Sequence, residues 1–217
     1  MTQDDPRALK RVIDVSRETE ERLAHYVALL KKWQPVQNLV SGPTLKSVWS
    51  RHIADCAQLL PLAELHSPVL RVWCDLGSGA GLPGLVIAIL GKERHPDLKV
   101  HLVESNQRKI AFLRTVTREL DLSTCLHAER IEALNVSHVG QIDVISARAL
   151  APFSQLLALT DHLRAPGTVC LFHKGRDFGV EYEEAARTRT INMLEQRSLI
   201  EPESRIVIVQ SAIKNSS

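Results

Sequence analysis

Two hydrophobic rhythms divide the chain. From residue 8 to residue 33, Leu23, Val27, Leu30 and Trp33 recur at three- and four-residue steps among Arg, Glu and Lys, which predicts an amphipathic helix. Gly42-Pro43 interrupts it, and residues 44–60 repeat the pattern as a second helix ending near Pro61. From Val69 onward, short apolar runs alternate with helical stretches. Strands are predicted over 70–76, 99–104, 124–128, 142–146, 168–173, 193–200 and 205–210. Helices are predicted over 82–90, 107–120, 153–163 and 181–190. Alternation of this kind implies an α/β fold with a mostly parallel sheet covered on both faces. The last two runs are joined only by Glu201-Pro202-Glu203-Ser204, too short for a crossover, so they are expected to be antiparallel. The expected organisation is an N-terminal helical cap over 1–65 and a seven-stranded α/β domain over 66–217.

Composition adds limits. The chain has 217 residues and a net charge of +2 from 27 basic and 25 acidic side chains, so total charge neither signals nor excludes a nucleic-acid partner. No apolar run approaches the roughly 20 residues of a membrane span, and the polar N-terminus has no signal-peptide core; a cytoplasmic protein without membrane attachment is expected. Nothing in the pattern demands more than a monomer. Cys56, Cys74, Cys125 and Cys170 lack metal-ligand or disulfide spacing, so no metal site is expected. Cys74, Cys125 and Cys170 lie in strand-like surroundings and are expected to be buried and inert.

Chemistry concentrates where the first strand meets its helix. Asp75-Leu76-Gly77-Ser78-Gly79-Ala80-Gly81 places glycines at a strand's carboxyl end, where α/β sheets bind ligands. Two registers compete. Gly79-Ala80-Gly81-Leu82-Pro83-Gly84 matches the dinucleotide fingerprint and allows an NAD-dependent oxidoreductase. The register Asp75-x-Gly77-x-Gly79-x-Gly81 suits S-adenosylmethionine, with Asp75 meeting the cationic methionine portion directly or through water. Glu104, ending the second strand, is placed to accept hydrogen bonds from ribose hydroxyls of either cofactor. Asp75 and the terminal strand pair favour the methyl donor.

Several motifs then occur in order. Trp33 with Asn38-Leu39 and Ser41, Arg51-His52-Ile53 with Asp55, the 75–84 turn, Arg108-Lys109 with Phe112-Leu113, Ser146-Ala147-Arg148-Ala149 and Lys174-Gly175 together resemble the small-subunit ribosomal RNA methyltransferase G family, also called glucose-inhibited division protein B. The resemblance runs from about Leu23 to Val209. It implies a Rossmann-like class I methyltransferase that uses S-adenosylmethionine, releases S-adenosylhomocysteine, and methylates N7 of a guanine in 16S ribosomal RNA, at guanine 527. The partner is then 16S RNA or the small-subunit particle. It also implies cofactor contacts at Gly77, Leu82, Ile131, Glu132 and Arg148, beside Asp75, Gly79 and Glu104.

Arg148 is the candidate nearest to a catalytic role, as a contact to RNA phosphate, guanine O6 or cofactor; otherwise it is a surface arginine. Arg51, His52 and Lys174 are candidate RNA contacts. The alternatives are an interhelical hydrogen-bonded His52, a solvated Lys174, an exposed Glu132, and an Asp55 that pairs with Arg51 one turn away. Trp33 and Trp73 read as core. Val40, Gln37, Cys56 and Gln210 depart from the family pattern, which bears on substrate contacts more than on the cofactor turn. Guanine N7 has a lone pair and no proton, so its methylation needs positioning rather than a general base. A methyltransferase acting on another RNA, a small molecule or a protein is the alternative within this reaction class.

Overall fold

The computed structural model describes residues 4–215. Seven strands form one sheet in the order β3-β2-β1-β4-β5-β7-β6. They are β1 (Val72–Leu76), β2 (Lys99–Val103), β3 (Thr124–His127), β4 (Val144–Arg148), β5 (Val169–Lys174), β6 (Arg189–Arg197) and β7 (Arg205–Lys214). The first five are parallel, while β7 runs antiparallel to both β5 and β6. The strand order reverses between β1 and β4, so their carboxyl ends frame the crevice where such sheets take ligands.

Period-two alternation sends neighbouring residues to opposite cores. Trp73, Leu102, Val144 and Leu171 enter a cluster with α1 (Arg17–Gln37), α4 (Gly84–Arg94) and α5 (Gln107–Glu119). Cys74, Val103, Ile145 and Phe172 enter the other, with α6 (Phe153–Thr160) and α7 (Phe178–Ala186). Both faces are covered, as near-continuous apolar strands require. The cap therefore shares one core with the sheet instead of enclosing its own.

The cap departs most from the two long helices read from periodicity. A 3-10 turn, Pro6–Arg11, precedes α1, which starts only at Arg17 because Ser16 caps it, its hydroxyl accepting from Thr19 N at 3.2 Å. The second predicted helix is four pieces: a 3-10 turn Gly42–Ser47, a π-helical turn Trp49–Ala54, α2 (Asp55–Ala57) and α3 (Leu59–His66). Pro61 does not end it; it sits in the first turn of α3, where a missing N–H costs little. At the other end of the chain, Arg189 and Thr190 belong to β6 and not to the preceding helix. Arg189 is buried and forks onto Asp161 with two 2.7 Å bonds, which pulls the segment onto the sheet.

Candidate functional site

The glycine-rich turn is fastened from beneath by two carboxylates. Gly77, Gly79 and Gly81 have φ of 63°, 56° and 86°. At Gly77 a Cβ would also stand 2.6 Å from Leu150 Cδ1, so a side chain there must push Leu150 aside in a backbone conformation that favours glycine. Asp75, fully buried, accepts from Gly84 N at 3.1 Å and from the Ser146 hydroxyl at 2.7 Å. Burial raises its pKa to about 6, against the lowering effect of those hydrogen bonds. Each carboxylate oxygen accepts one of these bonds, so Asp75 ties the turn to β4 and α4. Gly84 N opens α4, and a Cβ at Gly84 would stand 2.3 Å from Leu102 Cδ2 and 2.7 Å from Asp75 Oδ2, so glycine here lets the helix pack closely on the sheet.

Glu104 works similarly from β2. Its two oxygens accept from Gly79 N at 3.0 Å and Asn106 N at 2.8 Å, which leaves further lone pairs on each. From the cap, the buried Tyr26 hydroxyl donates to Ala80 O at 2.7 Å, so the crest of the turn is held by α1.

A cavity of about 540 Å³ opens above this turn. Gly77, Gly79 and Leu82 form its floor, and Lys109, Arg148, Arg51, His52, His173 and Lys174 stand around it. At Gly79 the space for a Cβ is bounded only by Gly77 O at 3.7 Å and Lys109 Nζ at 4.0 Å, so a ligand can approach the backbone closely there. Ile131 and Glu132 form a short turn after β3 and do not line this cavity; Ile131 is buried in the second core and Glu132 is exposed.

The opposite wall is a network centred on Arg148. Its guanidinium donates to His52 Nδ1, to Arg51 O at 3.3 Å and to Cys56 Sγ at 3.3 Å, and lies 3.5 Å from Asp55 Oδ2. A guanidinium only donates, so His52 Nδ1 must be the acceptor and Nε2 carries the proton. Nε2 then donates to Thr44 Oγ1 at 2.8 Å, and Thr44 donates to Ser41 O at 2.7 Å. Burial and the Arg148 charge lower the His52 pKa to about 4, so it is neutral near pH 7. These contacts match the interhelical reading of His52, not a side chain free for RNA.

Asp55 does not pair with Arg51. The π turn carries Arg51 outward, where Nη1 meets Glu201 Oε2 at 2.9 Å, and turns Asp55 inward. There Asp55 Oδ1 accepts from Gln58 at 2.8 Å and Ser198 at 3.2 Å, and its carbonyl accepts from His173 Nε2 at 3.0 Å. Lys174 is buried too, paired with Glu181 and donating to Ala151 O at 3.1 Å, so it is not a solvated strand-end lysine. Burial pushes the Cys56 thiol up to about 12, which makes it an unreactive neutral donor-acceptor. Cys125, on β3, is only half-buried, unlike Cys74 and Cys170.

Lys109 is a further site residue, which the Arg108-Lys109 motif does not by itself single out. It lines the cavity beside Gly79 and has no acidic partner among the described residues. Its position in α5, just after the Asn106 cap, is the signal that sequence offers.

Known proteins bear on this geometry. The family model described as "rRNA small subunit methyltransferase G" matches residues 19–207. A relative of that name from Methylobacterium radiotolerans is 52% identical over 90% of this chain and 89% of its own. Another from Cereibacter sphaeroides is 45% identical over 90% and 92%. Among solved structures, the O-methyltransferase TomG from Streptomyces achromogenes, determined with S-adenosylmethionine, aligns with a TM-score of 0.58 over 99% of this chain and all of its own, at 10% identity. That likeness shows the class I methyltransferase fold. The match over most of the length, with the glycine turn and the Arg148 wall inside it, shows that the chain belongs to the ribosomal RNA small subunit methyltransferase G family.

Proposed function

We propose that the protein transfers the methyl group of S-adenosylmethionine to N7 of a guanine in 16S ribosomal RNA. The observation that carries this reading is the state of the cavity's basic groups. Asp55 and, beneath the floor, Asp75 are buried and hydrogen-bonded, His52 spends both ring nitrogens on its neighbours, and the one unpartnered imidazole nitrogen among the described residues lining the cavity, His173 Nδ1, is itself buried. A wall so committed suits an acceptor atom that needs no proton removed, and guanine N7 is one.

The residues present fit the cofactor. Gly77, Gly79 and Leu82 provide a floor that backbone alone lines at Gly79, and Lys109 offers the complement to a carboxylate. Glu104 retains lone pairs for ribose hydroxyls, and Ile131 and Glu132 are assigned to the adenine edge by the family pattern. The bound cofactor supplies a methyl group on a sulfonium, with a neutral thioether as leaving group. The chain's part is to hold N7 in line with that group and exclude water, which is worth effective molarities on the order of 10⁵ M. Arg148 faces the incoming base from a fixed position, and Arg51 meets RNA at the rim. We assign residues 1–65 to the RNA-facing cap and 66–217 to the donor side. Incubation with radiolabelled S-adenosylmethionine and small-subunit RNA lacking the modification should label the RNA; no label overturns the reading.

A further inference from the structure

The turn between β6 and β7 carries two carboxylates, and each holds an arginine at the mouth of the cavity. Glu201 pairs with Arg51 of the cap, and Glu203 pairs with Arg176, which follows β5. A second depression of about 530 Å³ adjoins the first and shares Arg51, Gly175, Glu201 and Ser204 with it, so the cavity continues outward past both pairs. The arginines come from elements far apart in sequence; the acids come from one short turn.

That turn is fixed from behind. Ser198 Oγ accepts from Ile200 N at 3.1 Å and Glu201 N at 3.0 Å, and Leu199 N donates to Gln58 Oε1 at 3.0 Å. Arg11 donates to Leu199 O at 2.8 Å. The backbone that presents the acids is therefore tied to the cap, while the Arg176–Glu203 pair faces solvent at 74% and 70% exposure and the Arg51–Glu201 pair is partly exposed at 49% and 23%. Exposed pairs separate easily, each resisting by about fivefold or less. A backbone phosphate can take the carboxylate's place, because a guanidinium forms the same bidentate pair with either.

We propose that Glu201 and Glu203 are specificity-determining residues, occupying Arg51 and Arg176 until the backbone phosphates of a docked RNA strand replace them. The inference rests on the RNA reading above. It makes the groove reject loosely bound strands, because a phosphate must both displace a carboxylate and tolerate its charge nearby. Only a strand that also gains contacts deeper in the cavity is retained.

The test is binding of a generic single-stranded probe, a uridine oligonucleotide, across a salt series. Glu201→Gln combined with Glu203→Gln should tighten binding by about five- to twentyfold. The charge-matched Glu183→Gln with Glu184→Gln, on the exposed part of α7, should change it less than about twofold. Adding Arg51→Ala and Arg176→Ala to the first variant should abolish the gain and reduce the slope of log K against log salt by about 0.7 for each phosphate no longer neutralised. An equal gain in the α7 control, or a gain that survives removal of both arginines, overturns the proposal. Labelling of small-subunit RNA by the wild-type protein is measured alongside. Labelling without the predicted change removes the acidic gate alone; absence of labelling removes the RNA reading and the gate with it.

Discussion

The floor and the wall of the cavity are built on different principles. The floor is a local structure: eight consecutive residues from Gly77 to Gly84, held by backbone bonds and by carboxylates from β1 and β2 at their own strand ends. The wall is non-local. Arg148 reaches across more than ninety positions of sequence to His52, Asp55 and Cys56, and Asp55 is held in turn by Ser198. A local turn confined to glycine conformations binds a compact ligand the same way each time. A wall assembled from cap, β4, β5 and the terminal hairpin ties substrate geometry to the whole fold.

The largest expected effect breaks the floor alone. Gly77→Asp forces a side chain into the left-handed region and against Leu150, so calorimetry should show at least about a hundredfold loss of S-adenosylmethionine affinity. Near-normal affinity would mean that the turn is not the cofactor floor.

Arg148→Ala attacks the wall. It leaves Asp55 without its cation and His52 Nδ1 without its donor, so urea denaturation should show a destabilisation of about 2–4 kcal/mol, with turnover falling more than cofactor affinity. Arg148→Lys should restore little, because one ammonium cannot replace a fork reaching four acceptors. Equal losses in cofactor affinity and turnover would erase the distinction between floor and wall.

Tyr26→Phe tests the hydrogen bond from the cap to the floor. It strands a buried carbonyl, at about 1–2 kcal/mol of stability, and should weaken cofactor binding by about fivefold with kcat nearly kept. A change in kcat alone would place Tyr26 with the wall instead.

The smallest effect is in pH. His52 and His101 are held near pKa 4, below their ordinary 6.5, mainly by burial, so the unfolded chain binds their protons first as pH falls from 6.5 to 4. Their contribution to stability is full above pH 6.5 and is lost across that window. Asp75, raised from 3.8 to about 6, acts oppositely: its contribution is full below pH 3.8 and lost as pH rises to 6. Two histidines against one carboxylate should leave a net fall in the urea midpoint between pH 7 and 5. A flat profile would show that these groups titrate alike in both states.

The same division explains what is legible in the sequence. The seven strands, the antiparallel end and the glycine turn follow from periodicity and short-range chemistry, and each appears near its expected place. Sequence locates Asp75 correctly, but no spacing rule shows that it also ties the turn to Gly84 N and Ser146. Arg51, Asp55 and Arg148 stand out in their motifs, yet their pairing depends on a π turn that helical periodicity cannot distinguish from an α-helix. Lys109 gains meaning only when α5 sets it beside Gly79.

The central claim is that this floor and wall together present a methyl donor to guanine N7. The most direct measurement treats unmodified small-subunit RNA with the protein and S-adenosylmethionine, then maps the product by borohydride reduction and aniline scission, which cut at N7-methylated guanine. The account predicts one new cleavage at a single guanine, absent with Gly77→Asp. Methylation at another atom, or at no RNA position, would contradict it.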